Sequence, residues 1–116
     1  MPKIAVILSG CGVYDGAEIH ESVITLLALE RNGAEIVCAA PNRDQMHVID
    51  HAVGEPTGET RNVAIESSRI ARGPVTDVAE MKASEIDGLI LPGGFGAAKN
   101  LCDFAVKGPE CEVNPD

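Results

Sequence analysis

The stretch GLILPGGFGAAKNL, Gly88 to Leu101, admits few local structures: an apolar run stops at a proline, two glycines follow, and small helix-tolerant residues begin. It reads as a strand, a tight turn and a helix start. Leu89, Ile90 and Leu91 run without alternation, the pattern of a parallel-sheet strand covered on both faces. Pro92 cannot donate to a ladder and ends the strand, while Gly93 and Gly94 open backbone angles closed to other residues and let a ligand approach the peptide N–H groups. Such a turn can hold an anion or a developing oxyanion, although any βα unit also needs a glycine turn.

The same grammar occurs at the start of the chain. Lys3 to Leu8 is a β-branched apolar run that gives way to SGCGVYDG, Ser9 to Gly16, and then to a helical pattern with Ile19, Val23, Leu26 and Leu27 expected toward the sheet. Asn32-Gly33 stops that helix; Asp15 is expected to cap it or close the loop, with Glu18 in the first turn. Glu35 to Ala40 is a second strand, with Cys38 a small core residue inside it. Arg43 to Arg61 reads as an excursion with a short strand at His47 to Ile49. Asn62 to Arg72 is a helix with Val63, Ile65 and Ile70 roughly on one side. Thr76 to Met81 connects, Ser84 or Asp87 caps a short turn, and after the glycine turn a helix is expected from Ala97 to about Cys102. Alternating strands and helices make an α/β domain with a mainly parallel sheet, and ligands bind beyond the carboxyl ends of such strands. The loops 9–16 and 92–96 both belong there, which makes Cys11, Gly12 and Phe95 candidate pocket residues.

The totals narrow the function classes. A chain of 116 residues is one domain, with 45% hydrophobic and 23% charged residues and no apolar run long enough for a membrane span. Net charge −9, with nine scattered Lys and Arg, argues against nucleic acid. The start MPKIAVIL enters a strand without a signal-peptide or transit pattern, so a cytoplasmic location is expected, with a processed mitochondrial form as the alternative. Cys11, Cys38, Cys102 and Cys111 form no C-x-x-C pair, and an intracellular domain keeps them reduced.

Few side chains have a claim to chemistry. Glu21, one turn into the first helix, can lean toward the mouth of the sheet and move a proton, but from spacing alone Glu18 has an equal claim and either can be a solvated helix carboxylate. Cys11 stands in a glycine loop near a helix start, a setting that can lower a thiol pKa, or packs as a small loop residue. His20 is a lone helix histidine. His47 and His51 lack a third ligand, so no metal site is expected. The first loop is not G-x-G-x-x-G, and no acidic residue ends the second strand to take a ribose.

SGCGVYDGAEIHE (Ser9 to Glu21), ETRNVAIESSRIARG (Glu59 to Gly73) and LPGGFGAAKNL (Leu91 to Leu101) together resemble the enhancing-lycopene-biosynthesis, or glyoxalase ElbB, family and its mitochondrial relatives. The family belongs to the class I glutamine amidotransferase-like, PfpI-type superfamily, so the resemblance implies a flavodoxin-like three-layer sandwich. It also implies that Glu21 is the acid that pairs with a catalytic cysteine and that Gly93 and Gly94 contribute to an oxyanion hole. In the superfamily that cysteine sits on a strand-to-helix elbow after the P-G-G-F-G turn, and none of the four cysteines here has such a setting. Residues 1–116 are therefore expected to form a single incomplete domain that stops before the elbow, marginal alone because a cut parallel sheet leaves an apolar edge.

Two functions compete, ahead of a third, small-anion or nucleotide binding at the paired glycine loops. One is a glyoxalase-like lyase that converts a small aldehyde such as glyoxal to a hydroxy acid without an external cofactor, its thiolate lying outside this chain. The other is a non-catalytic amidotransferase-like subunit or regulatory module, as a homodimer or within a larger complex.

Overall fold

The computed structural model describes residues 1–115 as a three-layer α/β sandwich. Strands β1 (Lys3–Ile7), β2 (Glu35–Ala40), β5 (Thr76–Asp77) and β6 (Gly88–Ile90) form a parallel sheet in the order β5-β2-β1-β6. A separate antiparallel hairpin joins β3 (Ile49–Asp50) to β4 (Glu55–Pro56). Helices α1 (Ile19–Arg31), α2 (Val63–Ala71), α3 (Phe95–Lys99) and α4 (Phe104–Lys107) complete the fold.

Strand β1 explains the layering. Its side chains alternate between the two faces, and both faces are buried. Val6, with Leu8 just beyond the strand, packs with Ala17 and Ile70 on the helical side, joined by Leu26, Leu29, Ile36 and Cys38. Ala5 and Ile7 pack with Ala39 on the other, beneath Val78, Met81, Ile86 and Leu101. The second layer is thin, made of 3₁₀ turns at Val78–Glu80 and Ala83–Glu85 rather than a long helix.

Several elements depart from the sequence pattern. The run Leu89–Leu91 is not covered on both faces: Leu89 and Leu91 stay 55% and 51% exposed, and among the described residues β6 pairs only with β1. They border an apolar hollow of about 380 Å³ shared with Ile7, Met81, Ile86 and Val113. Helix α1 turns Ser22, Leu26 and Leu29 inward, and the row Ile19, Val23, Leu27 lies on its more exposed flank. Helix α2 buries Val63, Glu66, Ser67 and Ile70, so Ile65, roughly 140–160° around the helix from Ile70 and Ser67, faces solvent. Thr76–Asp77, expected as connection, is a short edge strand on β2. The helix expected over Ala97 to about Cys102 is α3, which begins at Phe95 and ends at Lys99, short of Cys102.

The caps also differ from expectation. Glu18, not Asp15, caps α1, accepting from the backbone N–H of His20 and Glu21. Neither Ser84 nor Asp87 caps the 83–85 turn; Asp87 instead accepts from the Lys3 N–H and ties β1 to the start of β6.

Candidate functional site

The two glycine loops meet beyond the carboxyl ends of β1 and β6, and glycine is what lets them meet. A methyl on Gly94 would lie 2.4 Å from the Gly16 carbonyl oxygen and 2.5 Å from the Glu18 nitrogen; one on Gly96 would lie 2.4 Å from the Gly16 Cα. Backbone hydrogen bonds stitch this crossing: Phe95 N–H to Val13 O (2.8 Å), Gly96 N–H to Gly16 O (2.9 Å) and Glu18 N–H to Gly93 O (2.7 Å). Gly94 takes φ +113°, a conformation that L side chains rarely adopt.

Asn100 locks the arrangement from behind. Buried at the end of α3, it donates to the Ser9 and Asp15 carbonyls (2.7 and 2.9 Å) and accepts from the Met46 N–H (2.9 Å). Sequence reasoning passed over it, because an asparagine after a short helix looks like an ordinary stop signal.

The turn brings Glu21 and Gly93 together. A methyl on Gly93 would lie 2.9 and 3.1 Å from the two Glu21 carboxylate oxygens, so the acid rests over the glycine. Among the described residues, neither the Gly93 nor the Gly94 N–H donates to any acceptor, whereas the next two N–H groups are committed. The equal claims of Glu18 and Glu21 are also separated. Both Glu18 oxygens serve the α1 cap, at 3.3 and 2.7 Å, and the Glu21 oxygens face the turn.

The candidate pocket residues do not share one cavity. Cys11 lines a polar depression with Asp15, His51 and Arg61; Phe95 lines another with Tyr14, Lys99 and Phe104. Gly12 lies against Asp15 and His51, and the Tyr14 ring stacks on His51 (4.9 Å) between them. His47 and His20 are exposed.

Cys11 is not an activated thiol. Burial pushes its pKa up, the Glu66 and Asp15 carboxylates add to the rise, and Arg69 opposes it. Being close to a helix start is outweighed, because Cys11 packs under the loop against the Val6–Leu8 cluster. Burial raises Cys38 as well. Both thiols should therefore alkylate more slowly than a free model thiol at neutral pH and accelerate only above the ordinary thiol range. Iodoacetamide labelling followed by peptide mass mapping across pH checks this, and fast labelling of Cys11 near neutrality would refute it.

The parallel sheet with flanking helices and the glycine turn after its edge strand define an amidotransferase-like α/β protein of flavodoxin-like architecture. The chain is 57% identical over 115 residues to the human mitochondrial glutamine amidotransferase-like class 1 domain-containing protein 3, covering 98% of this chain and 43% of that protein. It is 42% identical to the zebrafish mitochondrial ES1 protein, covering 98% and 44%. A crystal structure of an isoprenoid biosynthesis protein with an amidotransferase-like domain from Ehrlichia chaffeensis superposes with a TM-score of 0.90 at 43% identity, covering 97% of this chain and 53% of that one. Over nearly its whole length the chain is thus homologous to part of the mitochondrial ES1 proteins and of this amidotransferase-like isoprenoid biosynthesis protein. It spans about half the length of these relatives or less. No protein-family model matches it.

Proposed function

We propose that this chain carries the acid and the oxyanion donors of a glyoxalase-like domain, which converts small dicarbonyls such as glyoxal to hydroxy acids. The observation that carries the reading is the Glu21 carboxylate over Gly93, beside two backbone N–H groups that have no acceptor among the described residues. A thiolate adds to one aldehyde carbon, and the resulting oxyanion takes hydrogen bonds from Gly93 and Gly94. Glu21 then removes the proton from that carbon and returns it to the neighbouring one, so the first carbon is oxidised to a thioester as the second is reduced to an alcohol. Water cleaves the thioester, releasing glycolate and regenerating the thiol. No external oxidant enters.

The thiolate in this reading comes from outside residues 1–116. That assignment is supported by the raised pKa of Cys11 and Cys38 and by Cys102, whose thiol contacts the Ala97 carbonyl at 3.4 Å in the turn after α3. The relatives' names place the human, rat and zebrafish proteins in mitochondria, which supports the organellar location over the cytoplasmic one. A non-catalytic module is the second reading, favoured by the exposed Leu89 and Leu91 beside the unpaired side of β6, a surface fit for a partner.

The test is glycolate formation from glyoxal by the longer protein that contains this chain, followed by NMR, before and after complete alkylation. Glycolate above the buffer rate that disappears on alkylation is expected. No glycolate, or turnover that survives full alkylation, would overturn the thiolate mechanism.

A further inference from the structure

We propose that the depression between the first glycine loop and the β3–β4 hairpin binds a small organic cation bearing a primary ammonium group. The site shares no residue with Glu21, Gly93 and Gly94. It has a volume of about 350 Å³, room for a compound of a few heavy atoms, and its lining is mostly polar.

Asp15 forms its inner wall. The residue is only 5% exposed, and its two oxygens are served unequally. Oδ2 accepts from the Ile49 N–H at 2.8 Å, while Oδ1, with almost no accessible surface of its own, receives no hydrogen bond among the described residues. An unserved carboxylate oxygen at that depth calls for a donor.

The neighbouring groups cannot supply one. His51 Nε2 lies 3.7 Å from Oδ1, yet it accepts the Tyr14 N–H at 3.2 Å, and its Nδ1 is 3.1 Å from the Ile49 carbonyl. These partners require the proton on Nδ1, so a lone pair, not an N–H, is available beside the carboxylate. Protonating Nε2 would set it against the Tyr14 N–H. Arg61 is engaged elsewhere, with Nη2 on Glu59 at 3.0 Å and Nη1 on Glu66 at 3.2 Å.

The charge balance selects the ligand class. Asp15, Asp50 and Glu59 line the depression against the single guanidinium of Arg61, so the lining favours a cation. A metal ion is a poor match, since among the described residues no three His, Cys, Asp or Glu side chains are arranged to hold one. An ammonium donates three hydrogen bonds along a short stem; the Asp15 carboxylate takes the first, and Thr57 and Glu59 add acceptors to the lining.

Ethanolamine is the probe, titrated into the purified protein at neutral pH and read as backbone amide shifts, with ethylene glycol as its neutral counterpart. Saturable shifts at Ile49, His51 and Tyr14 are expected with ethanolamine, and at least about tenfold weaker effects with ethylene glycol, because only the former brings a charge-assisted donor. Asp15→Asn should weaken ethanolamine binding by at least about tenfold, and Glu59→Gln, at a half-exposed position, by a few-fold. The second variant decides the question if the first fails to fold. Equal binding of both probes, unsaturable shifts, or affinities unchanged in the folded variants would overturn the assignment.

Discussion

Gly94→Ala should come close to unfolding the protein, while Gly93→Ala, one residue earlier, should leave stability within about 1 kcal/mol of the parent. The two positions differ in what an added methyl meets. At Gly94 it meets backbone: the Gly16 oxygen at 2.4 Å, the Glu18 nitrogen at 2.5 Å and the Ala17 carbonyl carbon at 3.0 Å. None of these atoms can rotate away without moving the loop or the first turn of α1. Holding alanine at φ +113° adds roughly 1–3 kcal/mol of backbone strain, and a native domain has only about 5–15 kcal/mol to lose. A total loss above about 4 kcal/mol is expected, visible as a collapse of the urea midpoint or of soluble yield. At Gly93 the methyl meets only the end of the Glu21 side chain, which can swing aside. A loss below about 1 kcal/mol for Gly94→Ala would mean that the glycine loops do not cross as described.

That crossing was half legible in the sequence. Both loops announce themselves as glycine turns after apolar runs, and the α/β alternation places them at the same end of a parallel sheet. That Gly16, Gly94 and Gly96 touch one another was not legible, since contact between residues about 80 positions apart leaves no local pattern. Asn100 was missed for the same reason: its partners, Ser9, Asp15 and Met46, come from segments that only the fold assembles.

Where the pattern misled, tertiary context overrode it. Leu89–Leu91 has the composition of a central strand, but the described sheet pairs it on one side only. The sequence pattern puts Ile65 in an apolar row with Val63 and Ile70, yet the buried side of α2 is completed by Glu66 and Ser67, whose polar atoms find partners in Arg61 and the Gly10 N–H. Periodicity counts apolar residues and so overlooks a polar side chain that is buried because it is hydrogen-bonded. The identity of the capping acid was open for a related reason. Glu18 and Glu21 are spaced so that either can serve, and only the direction of their side chains distinguishes cap from turn.

Glu21→Gln should lower glyoxal turnover in the longer protein by roughly 10²–10⁴-fold, the usual span for losing a positioned acid–base group. Stability should change by no more than about 0.5 kcal/mol, because the side chain lies on an exposed face and caps nothing. The amide keeps the shape and removes the proton transfer, so the loss is expected in kcat rather than KM. Gly93→Ala supplies an independent reading of the same contact. Its methyl takes the space that the carboxylate occupies, so turnover should fall although the acid is still present. If the two residues act through one contact, the double variant should be little worse than Glu21→Gln alone, a non-additivity that two separate defects would not produce. Turnover unchanged in Glu21→Gln would remove the acid from the mechanism. Glu18 would not be a ready substitute, since both of its oxygens are held by the helix it caps.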